Sequence, residues 1–392
     1  MAFSCTAHHS YALHIDFPLE TARKERIILV IDEYPYLAQS DPSVSSVLQA
    51  LIDHHHEDSL LFLILCGSSM SFMEEQVLGY QSPLYGRRTA QYKILPFDYL
   101  TSSLMLEGFS TEEKFVLYSV TGGVPEYLSR IDQNLSVYEN VRDLFFNPSG
   151  RLFEEPGNLL KQELKMPQTY NAIITAIAEG KSKLNEIAAQ AGIETSQCSQ
   201  MLNTLIKLGL CSKVVPITEK ADSRKTLYVL EDQMFVFWYR FVMPDISRIT
   251  AGLGAMVCKE VFEGQLSSHV GYAFEQCAIQ YMWLQLKKGT FPVQFQKIGR
   301  WWGGNAALKK EEEIDFIALK ENKAIFGECK WRSHSQGEEV LNDLIRKSEL
   351  FPSYAKKYYA LFSKSGFSKG LLAKASLQKN VLLFTAEDMM VY

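Results

Sequence analysis

The sequence predicts a mixed α/β chain of several units, and three patterns carry that prediction. Two continuous apolar runs, 27–31 and 60–65, bracket a stretch of helical spacing, as in a β–α–β unit of a parallel sheet. Three short helical patterns, at 169–179, 183–190 and 195–208, are followed by strand patterns near 211–215 and 226–230. Further on, 313–319 and 323–329 alternate like the arms of a hairpin, between helical patterns at 261–286 and 338–349.

At 392 residues the chain has room for two or three hydrophobic cores. Its net charge of −5 gives no global basic signal, so contact with nucleic acid has to come from a local patch. Seven cysteines are scattered and never spaced C-x-x-C, which argues against a disulfide framework or a zinc site and for a reducing cytoplasm. No run reads as long and apolar enough to span a membrane, and no signal-peptide pattern follows Met1.

Taken in order, the unbroken apolar character of 27–31 predicts a strand buried on both faces, and Val44, Val47, Leu48, Leu51 and Ile52 mark the helix after it. Residues 92–95 read as a third strand closed by Pro96. From 97 to 146 the pattern is helical, broken at Thr121-Gly122-Gly123-Val124-Pro125, and 147–167, rich in Pro, Gly and Glu, reads as a linker. The trihelical unit and its two strands match a winged helix-turn-helix, with Leu184, Ile187, Ala188, Met201, Leu202 and Leu205 turned inward. Ser196, Ser199 and Asn203 on its third helix face outward, and Lys225 lies in the wing, a set able to meet DNA; a spacer or dimer surface is the alternative. Residues 233–243 read as an aromatic packing helix, 293–298 as a strand, 299–305 as a glycine-aromatic packing loop whose Arg300, Trp301 and Trp302 could alternatively bind phosphates and stack bases, and 309–313 as a flexible charged loop. A strand, a helix and a strand close the chain. The expected domains are 1–95, 96–150 as a helical lid, 168–243 and 255–392.

The run Ile27-Ile28-Leu29-Val30-Ile31-Asp32-Glu33 has the form of a Walker B strand. Such a strand delivers Asp32 to the sheet edge, where it can hold Mg²⁺, and Glu33 can polarise an attacking water. The second apolar run ends in Cys66-Gly67-Ser68-Ser69, placing Ser68 where a γ-phosphate sensor sits, and Arg87 and Arg88 are candidates for an arginine finger. Each piece also has a plain structural role: a strand end, a helix cap, a surface ion pair.

The segments Leu29-Val30-Ile31-Asp32-Glu33-Tyr34-Pro35-Tyr36-Leu37, Cys66-Gly67-Ser68-Ser69-Met70 and Leu84-Tyr85-Gly86-Arg87-Arg88 together resemble the archaeal and bacterial ATPase family of the AAA+/STAND group. The resemblance covers nearly the whole chain. It implies a P-loop NTPase sheet, use of ATP with Mg²⁺, and often a C-terminal domain resembling a PD-(D/E)XK nuclease. It also implies a Gly-rich phosphate loop ahead of the first strand. Residues 1–26 contain no glycine, and Gly180-Lys181-Ser182 has Thr175 where the first glycine belongs. The expectation is a partial, N-terminally truncated ATPase fold that binds ATP poorly.

A second constellation lies near the end. Residues 313–319 present Asp315 on one face of a strand, and Gly327-Glu328-Cys329-Lys330-Trp331 returns with Glu328 and Lys330 sharing a face. Two carboxylates and a lysine at this separation suit a Mg²⁺-dependent nuclease: Asp315 and Glu328 hold the metal, and Lys330 orients water or offsets negative charge. The pattern resembles PD-(D/E)XK nucleases, with Ile314 where that name has proline; the resemblance implies a restriction-endonuclease-like fold and makes Glu275 a further acid from its first helix. A solvated charged hairpin is the alternative.

The first functional expectation is an ATPase-family protein with a nuclease-like effector domain acting on nucleic acid. The others are a non-enzymatic DNA-binding or oligomerising regulator, such as a homo-oligomer, and a degenerate ATPase remnant.

Overall fold

The computed structural model describes residues 21–55, 59–68, 72–164, 166–221 and 223–391, which form two compact units, one ending at Ile94 and the other spanning Leu95–Tyr392.

The first unit is built on two parallel strands, β1 (Ile27–Ile31) and β2 (Leu61–Leu65), in register from Ile27 opposite Leu61 to Ile31 opposite Leu65. Helices α1 (Tyr34–Ser40) and α2 (Val44–His55) follow β1. Tyr34, Ala38, Val44, Leu48, Val77 and Leu84 form a small core, against which Ile31, Leu63 and Leu65 pack. The other face of the strands stays open: Ile28 is 63% and Val30 54% exposed, and Phe62 and Ile64 are exposed beside them. The expectation of a strand buried on both faces is thereby corrected: among the described residues, helices cover one side of this narrow sheet. Residues 92–95 are not a strand; they run irregularly, with Tyr92, Ile94 and Leu95 exposed.

The second unit opens with α3 (Tyr99–Ser103), α4 (Thr111–Thr121), α5 (Pro125–Leu128) and α6 (Val137–Phe145). Capping boxes at Ser110/Glu113 and Ser136/Glu139 start α4 and α6, satisfying backbone N–H groups that have no partner inside the helix. Gly122 ends α4 in the left-handed conformation. The stretch read as a linker contains α7 (Glu155–Glu163). Pro156 stands in its first turn, where a missing N–H costs nothing, and Leu152, Phe153 and Leu160 are buried. Helices α8 (Pro167–Ala178), α9 (Leu184–Ala191) and α10 (Thr195–Lys207) come next, then the antiparallel strands β3 (Cys211–Val214) and β4 (Leu227–Leu230). Ile187, Ala188, Met201, Leu202 and Leu205 are buried, as their spacing predicts.

From α11 (Gln233–Phe237) the chain stays helical through α12 (Gly254–Gly264), with π-helical turns and a left-handed Gly252 along the way. This run, Gln233–Gly264, is long enough to cross a membrane and reaches a mean hydropathy of 1.2, a correction to the reading that no stretch does. Asp245, Arg248 and the bend at Gly252 interrupt it, and Phe235, Phe237, Tyr239 and Phe241 are buried in the main core.

Helix α13 (Leu266–Lys287) leads to a five-stranded sheet of order β5 (Lys297–Asn305), β6 (Lys310–Lys320), β7 (Lys323–Lys330), β8 (Lys356–Ser363) and β9 (Val381–Thr385). The first three strands are antiparallel and the last three parallel. Helix α13 packs on one face; α14 (Glu338–Ser348) and α15 (Lys369–Leu377) pack on the other, and α16 (Ala386–Met389) ends the fold. Two expected loops are strand here: 299–305 belongs to β5, and 310–313 to β6, where buried Glu312 accepts two 2.9 Å hydrogen bonds from Arg346. A bulge between Gly299 and Trp301 shifts the β5–β6 register beside Asp315.

Candidate functional site

In the first unit, the ends of β1 and β2 meet. Cys66 N–H donates to Ile31 O (3.1 Å) and Tyr34 N–H to Cys66 O (2.9 Å), which brings the two acids and Ser68 together. Glu33 N–H donates to Asp32 Oδ1 (2.9 Å), Ser68 Oγ lies 3.2 Å from both Glu33 carboxylate oxygens, and Cys66 Sγ is 3.3 Å from Asp32 Oδ1. Glu33 itself is left-handed, at φ 50°, a conformation that costs a residue with a Cβ and gathers at functional turns. Arg87, by contrast, is committed elsewhere: it forks onto Asp53 with two 2.7 Å bonds and also donates to Pro83 O. Arg88 is exposed. Gly180-Lys181-Ser182 sits between α8 and α9, so a helix rather than a strand precedes it, and it is not a phosphate loop. His54 and His55 end α2, and 56–58 lie outside the described residues.

In the second unit, α13, β5, β6 and β7 bring a charged cluster together. Asp315 Oδ2 accepts a 2.7 Å hydrogen bond from Cys329 N–H, which pins the carboxylate of β6 to the backbone of β7. Burial raises the pKa of Asp315, and Glu328 adds to the rise. Glu275, from α13, is raised further above the carboxylate range, by burial first and then by Asp315, and its Oε2 is buried without a hydrogen-bond partner. Glu328 faces the helix on the other side: Lys330 Nζ lies 2.5 Å from its Oε1, and Lys347 Nζ, from α14, 3.5 Å from its Oε2. Burial pulls the Lys330 pKa down, but Glu328 and Asp315 reverse this, so the lysine stays charged. Glu275 and Lys330 line an open cleft of about 630 Å³ with Tyr272, Arg240 and Arg332. Four residues read from the sequence, Glu275, Asp315, Glu328 and Lys330, thus lie within electrostatic reach of one another.

Two participants were not placed in this cluster by the sequence. Arg300, on β5, stands 5.8 Å over the Tyr272 ring and lowers the pKa of both Glu275 and Asp315. Its segment looks like a loop because glycines surround it. Lys347 pairs with both Glu328 and Asp343; its spacing from Asp343 on α14 marks only an ordinary helix-surface pair. Among the described residues no three His, Cys, Asp or Glu side chains form a ready-made metal cage. A hard cation that keeps its waters needs only one or two carboxylates, and the unpartnered Glu275 oxygen beside Asp315 fits that requirement.

On α10, Ser196 and Asn203 are exposed and Ser199 half-buried, while Lys225 pairs with Glu219 at 2.8 Å. The loop between β3 and β4 is tied to the sheet: Ile217 N–H donates to Arg300 O (2.9 Å), and Lys297 Nζ to Ile217 O (3.0 Å).

Residues 12–131 match the model of an ATPase domain found predominantly in Archaea, and residues 238–340 match a family of archaeal and bacterial proteins of unknown function. An uncharacterized protein of Methanocaldococcus jannaschii is 34% identical over 367 residues, covering 92% of this chain and 79% of the relative. A crystal structure of protein VC1899 from Vibrio cholerae aligns with 97% of this chain and 92% of its own, at 12% identity and a TM-score of 0.26. Can2 from Sulfobacillus thermosulfidooxidans, solved with cyclic tetra-adenylate, aligns at 11% identity over 91% of this chain and 88% of its own, with a TM-score of 0.19. Scores this low make both no more than similarities. The long relative and the two matched segments place the chain in the archaeal-type ATPase family that joins this ATPase domain to a C-terminal domain of unknown function.

Proposed function

We propose that the C-terminal α/β unit is a metal-dependent phosphodiesterase acting on nucleic acid, within an ATPase-family chain. One observation carries the reading: Glu275 and Asp315 are half-buried acids within electrostatic reach, Asp315 raises the pKa of Glu275, and Glu275 Oε2 is buried without a hydrogen-bond partner. Two such carboxylates raise each other's proton affinity, and a divalent cation relieves both.

Glu275 and Asp315 are the residues that would hold Mg²⁺, which when bound offsets phosphate charge and makes a water more acidic. The chain's own groups do the rest. Cys329 N–H orients Asp315. Lys330 and Lys347 hold Glu328, and Lys330 at the cleft wall offers positive charge to a phosphodiester. Arg300 supplies a second cation beside the acids. Three helices and a β-hairpin in the arrangement of a winged helix, with Ser196, Ser199 and Asn203 on its outer surface, offer a place for duplex DNA.

Asp32, Glu33 and Ser68, gathered at the ends of β1 and β2, suit the Mg²⁺ and hydrolysis end of a nucleotide site. In a nuclease assay with Mg²⁺ or Mn²⁺ and single- and double-stranded DNA and RNA, cutting is expected from the intact chain. Asp315→Asn and Lys330→Ala should each lower it at least a hundredfold with folding preserved. Failure of every nucleic acid form to be cut would overturn the reading.

A further inference from the structure

Three lysines stand side by side at the end of the five-stranded sheet remote from the carboxylate cluster. Lys320 is opposite Lys323 across the β6–β7 turn, and Lys323 is opposite Lys356 on β8. Directly opposed residues project from the same face, so the three ammonium groups form a row roughly 10 Å long, at ~4.8 Å per strand. Lys323 and Lys330 are the two ends of β7, which sets the row and the cluster roughly 23 Å apart at ~3.3 Å per residue.

Beside the row, a cleft of about 640 Å³ opens between Pro292 and the starts of β8 and β9, lined by Lys356, Lys379 and Asn380. Lys357 also borders it, but its Nζ donates to Ser348 O and sits over the Phe326 ring. Among the described residues, Lys320, Lys323, Lys356 and Lys379 have no carboxylate at ion-pair distance, whereas Lys225, Lys310, Lys347, Lys364 and Lys374 each have one. Like charges opposed on neighbouring strands repel and cost stability. Glu321, in the turn between Lys320 and Lys323, is one acid against three lysines, so in a chain of net charge −5 the row is still a local reversal of sign.

We infer that this row and cleft form a second binding surface, for the sugar–phosphate backbone of a nucleic acid strand. Lysines are flexible point charges that do not converge on a single anion; spread along a rigid sheet end, they match charges repeated at fixed spacing. The surface is separate from the carboxylate cluster and reads no base sequence.

The test is fluorescence anisotropy with a labelled 20-nucleotide single strand and the full chain in EDTA, across a KCl series. The expected result is salt-dependent binding that K320Q/K323Q/K356Q weakens tenfold or more, with the log–log salt slope reduced by about two, at ~0.7 per phosphate contact. Binding should return in K320R/K323R/K356R, and the glutamine variant should melt no lower than wild type because it loses repulsion. An unchanged affinity or slope would overturn the inference. So would displacement by micromolar inorganic phosphate, which would mark a single-phosphate pocket, or by polyglutamate as readily as by DNA, which would mark an acidic-peptide surface. The binding is measured without any divalent cation, so it stands or falls whether or not a nuclease assay shows cutting, and the two readings fail separately.

Discussion

Glu275 and Asp315 are the residues where stability and proposed chemistry pull apart. Both have pKa values raised by burial, so in the cation-free protein the folded state keeps protons that the unfolded state releases. Stability therefore falls as pH rises above the ordinary carboxylate range. Glu275→Gln removes one of the two charges and should stabilise the EDTA-treated protein by about 1–3 kcal/mol at pH 8, with a smaller gain at pH 5. Urea unfolding at the two pH values checks this. The same variant should lose the rise in Tm that Mn²⁺ gives wild type; a wild-type protein indifferent to Mn²⁺ would remove the cation from the account. Asp315, Glu328 and Lys330 were legible as one group from strand alternation, whereas Glu275 followed only from the resemblance, because nothing local ties a position on α13 to strands about forty residues later. Arg300 and Lys347 were not legible, since each reaches the cluster only through a β-bulge or helix packing that joins distant residues.

At the scale of elements, α13 carries a second buried group that has no part in the cluster. His269 is fully buried between the rings of Phe237 and Phe241, and its Nε2–H donates to Ser119 O at 2.8 Å, which couples α13 to α4. Its Nδ1 is buried without a partner, and burial pulls the pKa down to about 4. The unfolded chain takes up a proton near pH 6.5 that the folded chain refuses until about 4, so stability is full above that window and lost as pH falls through it. The loss should reach about 3 kcal/mol, at ~1.4 kcal/mol per pKa unit. Chemical denaturation between pH 7 and 4 measures it, and His269→Gln should flatten the dependence. Elements with one strong signal were readable: the apolar runs of β1 and β2, the alternating β6–β7 hairpin, the helix spacings of α8 to α10. Those whose local signals compete were not. Pro156 and Gly157 made α7 look like a linker although proline suits a first turn, and the glycines of β5 hid a strand whose Trp301 packs against Phe351 at 4.9 Å.

For the whole molecule, the two units differ in how much core each owns. A two-stranded sheet with one open face is marginal by itself, whereas five strands covered on both faces, within a continuous hydrophobic core from Tyr99 to Met389, are not. A fragment of residues 95–392 should therefore fold cooperatively and keep the Mn²⁺-induced rise in Tm. Loss of that rise in a folded fragment would mean that residues before Leu95 help to build the cluster. Hydrogen exchange on the intact chain should show β1 and β2 exchanging well before β6, β7 and β8.

The bond from Ile217 to Arg300 has an effect beyond holding a loop. β5 is a border of the sheet, and a bare border invites a strand from another molecule to zip onto it. With Ile217 docked there, one rung of that ladder is already taken and the loop stands in the intruder's path. The loop thus leaves less of that border open to a second strand.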